Sequence, residues 1–97
     1  MIVQLTRARY VPDKIDEAQT IIQGAVLPAA SRQRGFRGAY WAIERETGAG
    51  IGISFWETRA DAEALLTSGF YQEQVAKVGP LLIGDVEREL YELAAQV

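Results

Sequence analysis

Residues Gly48–Leu65, "GAGIGISFWETRADAEAL", run from a glycine-rich turn through an apolar strand into the start of a helix. Gly48, Gly50 and Gly52 alternate in a β-favouring context, and no GxGxxG or P-loop pattern surrounds them. That suits a hairpin and a closely packed strand rather than a phosphate cradle. The stretch predicts a hairpin turn at Gly48–Gly50 and a returning strand at Ile51–Glu57. Thr58 with Asp61 forms a short capping box, so a helix begins at about Arg59, with Ala62, Leu65 and Leu66 as its buried stripe. Trp56 falls where strand meets cap. It reads as an anchor of the sheet–helix core or as the wall of a pocket for a flat ligand, and the two roles are compatible. Strand parity places Trp56 with Ser54 and Gly52. Small residues beside a tryptophan predict room for something planar.

Working outward, Ile2–Tyr10 alternates as a first strand. Asp13 is a plausible N-cap, with Asp16 favouring the positive end of the helix that follows. Apolar residues at 15, 18, 21, 22, 25, 26 and 29 keep helical spacing. Pro28 lacks the N–H that would bond the Gly24 carbonyl, which predicts a kink or an early end there. Phe36–Thr47, with Phe36, Tyr40, Trp41 and Ile43, is the second strand. "TSG" at Thr67–Gly69 breaks the later helix, and Ser68 can cap a second piece running to about Val78. Leu82–Leu93 alternates as a fourth strand, although its tail "ELAAQV" reads equally well as helix.

The order is βαββαβ in one domain spanning 1–97. This is the ferredoxin-like α+β arrangement, a four-stranded antiparallel sheet with two helices on one face. Yet the strands are apolar on both faces, because Ile2 and Val3, Tyr40 and Trp41, and Phe55 and Trp56 point opposite ways. One face would stay open as an interaction surface, and the economical solution is a homodimer packed sheet against sheet. Of Tyr40 and Trp41, one faces the cleft and the other the partner. The sequence leaves open which.

The chain contains no Cys, His or Asn. Zinc, copper and haem-iron sites lose their usual ligands, and serine or cysteine triads are excluded. Asp, Glu, Tyr, Lys and Arg remain for proton transfer or charge stabilisation. Ten Lys and Arg against thirteen Asp and Glu give a net charge of -3 without a basic stripe, so neither nucleic acid nor an anionic membrane is an expected partner. Apolar runs are only a few residues long, and "MIVQLTRARY" lacks a signal-peptide layout, so a cytoplasmic location is expected. The pairs Glu44/Glu46 and Glu87/Glu89 read as solvated charge.

Two segments, "RGFRGAYWAIERETGAGIGISFWETRADAEAL" from Arg34 and "SGFYQEQVAKVGPLL" from Ser68, resemble the antibiotic biosynthesis monooxygenase-like domains of the dimeric α/β-barrel superfamily. The resemblance implies a dimeric barrel. It also implies oxidation of polycyclic aromatic or quinol substrates, without metal or flavin, in a cleft between sheet and helices. Trp56 matches the strand-end tryptophan lining such clefts, and Thr6 falls near a first-strand polar position that is often Asn. Haem-degrading relatives use a histidine on the second helix, which this chain lacks, so no cofactor is expected. The candidate substrate-binding residues are Trp56, Tyr40, Tyr71, Phe70, Thr6 and Arg7. Phe70 and Tyr71 either close the core below the helix break or form a flap, with the Tyr71 phenol available to a ligand oxygen. Arg7 is a candidate for an anionic group. Two functions fit: a cofactor-independent oxygenase acting on an aromatic phenol or quinol, or a non-enzymatic binding or structural dimer of the same fold.

Overall fold

The computed structural model describes all of residues 1–97. Strand β1 (Ile2–Arg9) leads into helices α1 (Ile15–Ile21) and α2 (Leu27–Ser31), then strands β2 (Phe36–Glu44) and β3 (Ala49–Trp56). Helices α3 (Arg59–Thr67) and α4 (Phe70–Val78) precede strand β4 (Glu87–Glu92). The strands pair antiparallel in the order β2-β3-β1-β4, which is the ferredoxin-like sheet.

The β2–β3 hairpin turns earlier than the sequence predicts, over residues 45–48, with Gly48 at φ 79°. Short polar side chains satisfy its backbone. Glu46 N–H donates to the Glu44 carboxylate (2.7 Å), and Ala49 N–H donates to Thr47 Oγ1 (3.2 Å). These local bonds compete with strand pairing, so β2 stops at Glu44 rather than Thr47. Thr58 caps α3 as predicted, accepting from Asp61 N–H at 3.1 Å. Leu66, expected in the buried stripe, is 43% exposed at its edge, while Ala62 and Leu65 are buried.

Asp13 makes no capping bond. Pro12, with φ pre-set for helix, instead opens a 3-10 turn at Pro12–Lys14 that runs directly into α1. Pro28 does not end the helix either. The chain widens into a π turn at Ile22–Val26, where Leu27 N–H reaches the Ile22 carbonyl, and Pro28 then sits in the first turn of α2. The wider turn absorbs the proline ring and the missing donor without a break. Gly84 at φ 76° interrupts the predicted fourth strand. Leu82 keeps only an isolated bridge to Tyr10, and regular pairing waits until Glu87.

All helices cover one sheet face, and the core beneath them is split. One cluster joins Tyr10 to Ile15, Ala18, Ile22, Val78 and Leu81. The other joins Ile2, Trp56, Ala62 and Leu65. On the opposite face Val3, Leu5, Ile51, Ile53 and Phe55 are half-buried, and Tyr40 and Tyr91 are 66% and 48% exposed.

Candidate functional site

Between the two clusters the sheet presents the small and polar row Gln4, Thr6, Gly52 and Ser54, brought level by the β1–β3 register. Side chains this short cannot fill the space up to the helices, and a cavity of about 140 Å³ remains. Trp41 and Trp56 bound it from the sheet, Phe70, Tyr71 and Gln74 from α4, and Ile22 and Val26 from the π turn. Most of its lining is apolar. No Asp, Glu, Lys or Arg lines it, so the cavity holds no charged group of its own.

Trp56 is a core anchor that also borders the cavity. It is 1% exposed, meets Phe36 edge-on at 5.6 Å and donates from Nε1 to Ser54 Oγ at 2.9 Å. The same ring closes one end of the cavity. Phe70 packs on the Trp56 cluster and lines the cavity beside it, as does Thr6 from below. The glycines contribute less room than expected. A Cβ at Gly50 would stand 2.7 Å from the Tyr10 ring, and one at Gly52 would overlap the Thr6 hydroxyl. Neighbouring β1 side chains have already taken that space.

Two candidates lie elsewhere. The β2–β3 register turns Trp41 toward the helices, where it meets Tyr10 edge-on at 5.5 Å. Tyr40 therefore turns its exposed ring to the open side of the sheet, against Phe55, although the residue also borders the cavity. Arg7 also points to the open face, since it alternates with Thr6, and its Nε bonds Glu89 at 3.3 Å. Arg7 is absent from the cavity lining, and the Tyr40 ring is 66% exposed on the other side.

Tyr71 is the exceptional wall residue. Its hydroxyl is buried and has no hydrogen-bond partner in the protein. An unpaired buried hydroxyl costs about 1–3 kcal/mol, which a bound acceptor would recover. Burial pushes the phenol above its ordinary value of 10.0, partly offset by the Arg88 guanidinium, whose carbon lies 5.4 Å from the ring centre. At neutral pH Tyr71 is thus a neutral O–H donor. Tyr71, Val75 and Val86 also border an open groove next to Asp85, which gives the cavity a side facing solvent.

Three polar residues not singled out from the sequence complete the site. Gln4 and Gln74, 7% and 9% exposed, both line the cavity. Gln4 Oε1 accepts from Arg88 Nε at 2.7 Å, and Gln74 Oε1 accepts from Lys77 Nζ at 2.9 Å. A polar residue at an inward position of β1, two before the polar Thr6, was the available signal for Gln4. Arg88 carries no comparable signal, since its partner Gln4 lies 84 residues away. Nowhere do three or more acidic side chains gather as a metal site would require.

No family model matches the chain, and no curated protein does. Solved structures match it along nearly its whole length. A monooxygenase from the ActVA-Orf6 gene of Streptomyces coelicolor, in complex with nanaomycin D, superposes with a TM-score of 0.79 at 14% identity, covering 99% of this chain and 89% of that one. SnoaB, a cofactor-independent oxygenase from Streptomyces nogalater, gives 0.75 at 14% identity, covering 99% and 95%. Rv0793 from Mycobacterium tuberculosis gives 0.76 at 17% identity, covering 98% and 96%. The chain has the antibiotic biosynthesis monooxygenase fold. Within that monooxygenase fold, the cavity lies between sheet and helices, where the resemblance read from the sequence put a cleft.

Proposed function

We propose that the protein is a cofactor-independent oxygenase acting on a compact, electron-rich phenol or quinol bound against Trp56. One observation carries this reading: the buried, unpartnered Tyr71 hydroxyl in the wall of an otherwise apolar cavity. An apolar cavity of about 150 Å³ accepts a benzene-sized body, so 140 Å³ suits one aromatic ring better than a fused polycycle. The fold likeness to oxygenases supports the reaction class. The substrate would be a phenol or quinol whose keto tautomer carries a C–H2 carbon. The substrate gives up one proton to solvent and binds as its anion, and that carbon then bonds one oxygen atom of O2. The resulting hydroperoxide loses water and leaves a carbonyl. One oxygen is inserted and the other departs as water, with all four electrons drawn from the C–H2 carbon and no external reductant needed. Tyr71 O–H and the glutamine amides would stabilise the anion, and the apolar walls would exclude bulk water.

The test follows O2 uptake with a panel of single-ring hydroquinones and the tricyclic anthrone. Uptake with single-ring members is expected, and Tyr71→Phe is expected to lower it roughly 10²-fold, the usual cost of one anion-stabilising donor. The same change leaves thermal stability equal or higher, because it removes an unpaired buried hydroxyl. The second reading, a binding module without chemistry, is favoured by the absence of any carboxylate or imidazole base in the cavity wall. Ligand retention with no O2 uptake from any panel member would establish that reading instead.

We further infer that the protein works as a homodimer through the open sheet face, where Val3, Leu5, Ile53 and Phe55 form an apolar field with the exposed Tyr40 and Tyr91 around it. Light scattering is expected to give twice the chain mass, and Phe55→Glu the single chain mass. A monomeric wild type would refute the inference.

A further inference from the structure

We propose that Arg88, from outside the cavity, locks Gln4 as a hydrogen-bond donor into it, so that the site takes phenolic ligands as their anions. This rests on the reading of the cavity as a phenol site and adds which form of the ligand it selects, and by what means.

The argument is one of hydrogen-bond valence. A guanidinium donates from every nitrogen and accepts nowhere. The Gln4 atom 2.7 Å from Arg88 Nε is therefore the carbonyl oxygen, and turning the amide over would set donor against donor. Arg88 cannot swing away to permit that turn. Its NH2 arm donates to the Ala62 carbonyl at 2.7 Å, and its guanidinium rests over the Tyr71 ring. Contacts to β1, α3 and α4 hold it in place. The Gln4 Nε2 hydrogens consequently point away from Arg88. Gln4 is buried and lines the cavity, so the cavity is where those hydrogens find an acceptor. The Lys77 ammonium, which also only donates, meets Gln74 by its carbonyl oxygen as well, through a single contact from an exposed side chain.

The polar lining of the cavity therefore offers amide donors from Gln4 and Gln74 beside the hydroxyls of Tyr71, Thr6 and Ser54, each of which can turn its hydrogen toward an anion. The ionisable groups facing Arg88 are Tyr71 from α4 and, at longer range, Glu63 from α3. The titratable residues lining the cavity are all tyrosines, and burial raises two of them, Tyr10 and Tyr71. No carboxylate lines the wall, so a bound anion meets donors and no like charge there; Asp85 borders only the open groove outside. Such donors favour the phenolate over the phenol, because they strengthen toward a charged acceptor.

The experiment uses 4-nitrophenol, whose absorption differs between phenol and phenolate, titrated with pH free and under saturating wild-type protein. The bound probe is expected to ionise roughly one pH unit lower than the free one, about a tenfold preference for the anion. Arg88→Met should still bind the probe but move its midpoint part of the way back toward the free value, because only the Gln4 amide is released, and Arg88→Lys should recover part of what is lost. Gln4→Glu keeps the contact with Arg88 as an ion pair and replaces the inward donor with an anion. It should move the midpoint above that of the free probe, and it decides the matter if Arg88→Met fails to fold. A wild-type midpoint in Gln4→Glu would overturn the proposal while leaving the cavity as a phenol site. Failure of the wild type to bind the probe would overturn the cavity reading and this proposal together.

Discussion

Trp56→Ala is expected to destabilise the protein by about 3–5 kcal/mol, the cost typical of deleting a buried large aromatic side chain. For a domain of about this size each kcal/mol lowers Tm by roughly 4–8 °C, and total stability is only about 5–15 kcal/mol. The change would leave a small margin of folded protein. The reason lies in the split core. Trp56 is the largest fully buried side chain and holds Ile2, Ala62 and Leu65 in one cluster, with Phe36 against its edge. The neighbouring cavity means that no side chain stands ready to collapse into the space left behind, and sites that cannot collapse show the larger costs. Trp56→Phe keeps a ring and loses the Ser54 bond, so it should cost far less. Urea unfolding of both variants measures this. A loss below about 1 kcal/mol for Trp56→Ala would show that the Trp56 cluster does not carry the fold.

This stretch around Trp56 is also where the sequence was most informative. Its features are local: a glycine turn, a strand with fixed parity, and a Thr-to-Asp cap three residues apart. Parity put Trp56, Ser54 and Gly52 on one face, and they share it. What parity cannot supply is which face the helices cover, and that alone decides between Tyr40 and Trp41. The same gap misplaced Arg7, which alternates with Thr6 and so belongs to the other side. The occupied space over Gly50 and Gly52 depends on Tyr10 and Thr6 of the neighbouring strand, and strand order was not readable from glycine spacing. Gln4 and Arg88 are 84 residues apart, and only the β1–β4 register makes them partners. The π turn arose because a helix can widen ahead of a proline as well as end there. Local chemistry was thus legible, while the polar end of the cavity, built from long-range pairings, was not.

Ala39→Leu should separate stability from function in the direction opposite to Trp56→Ala. Ala39 sits across from Ser54 on the helix-facing side of β2 and lines the cavity. A leucine there extends into space that is empty in the protein, and each Å³ of cavity removed is worth about 24 cal/mol. Stability is therefore expected to hold or to rise by about 1 kcal/mol, provided the leucine finds an unstrained rotamer. Probe binding and O2 uptake should both fall at least a hundredfold, because a 140 Å³ cavity has no room for both a leucine side chain and an aromatic ring. Calorimetry with 4-nitrophenol, alongside thermal unfolding, checks both halves. A variant that is stable yet still binds the probe at wild-type strength would place the binding site outside this cavity. A variant that is stable and inert would show that the gap in the core, which costs the fold stability, is retained for the ligand it admits.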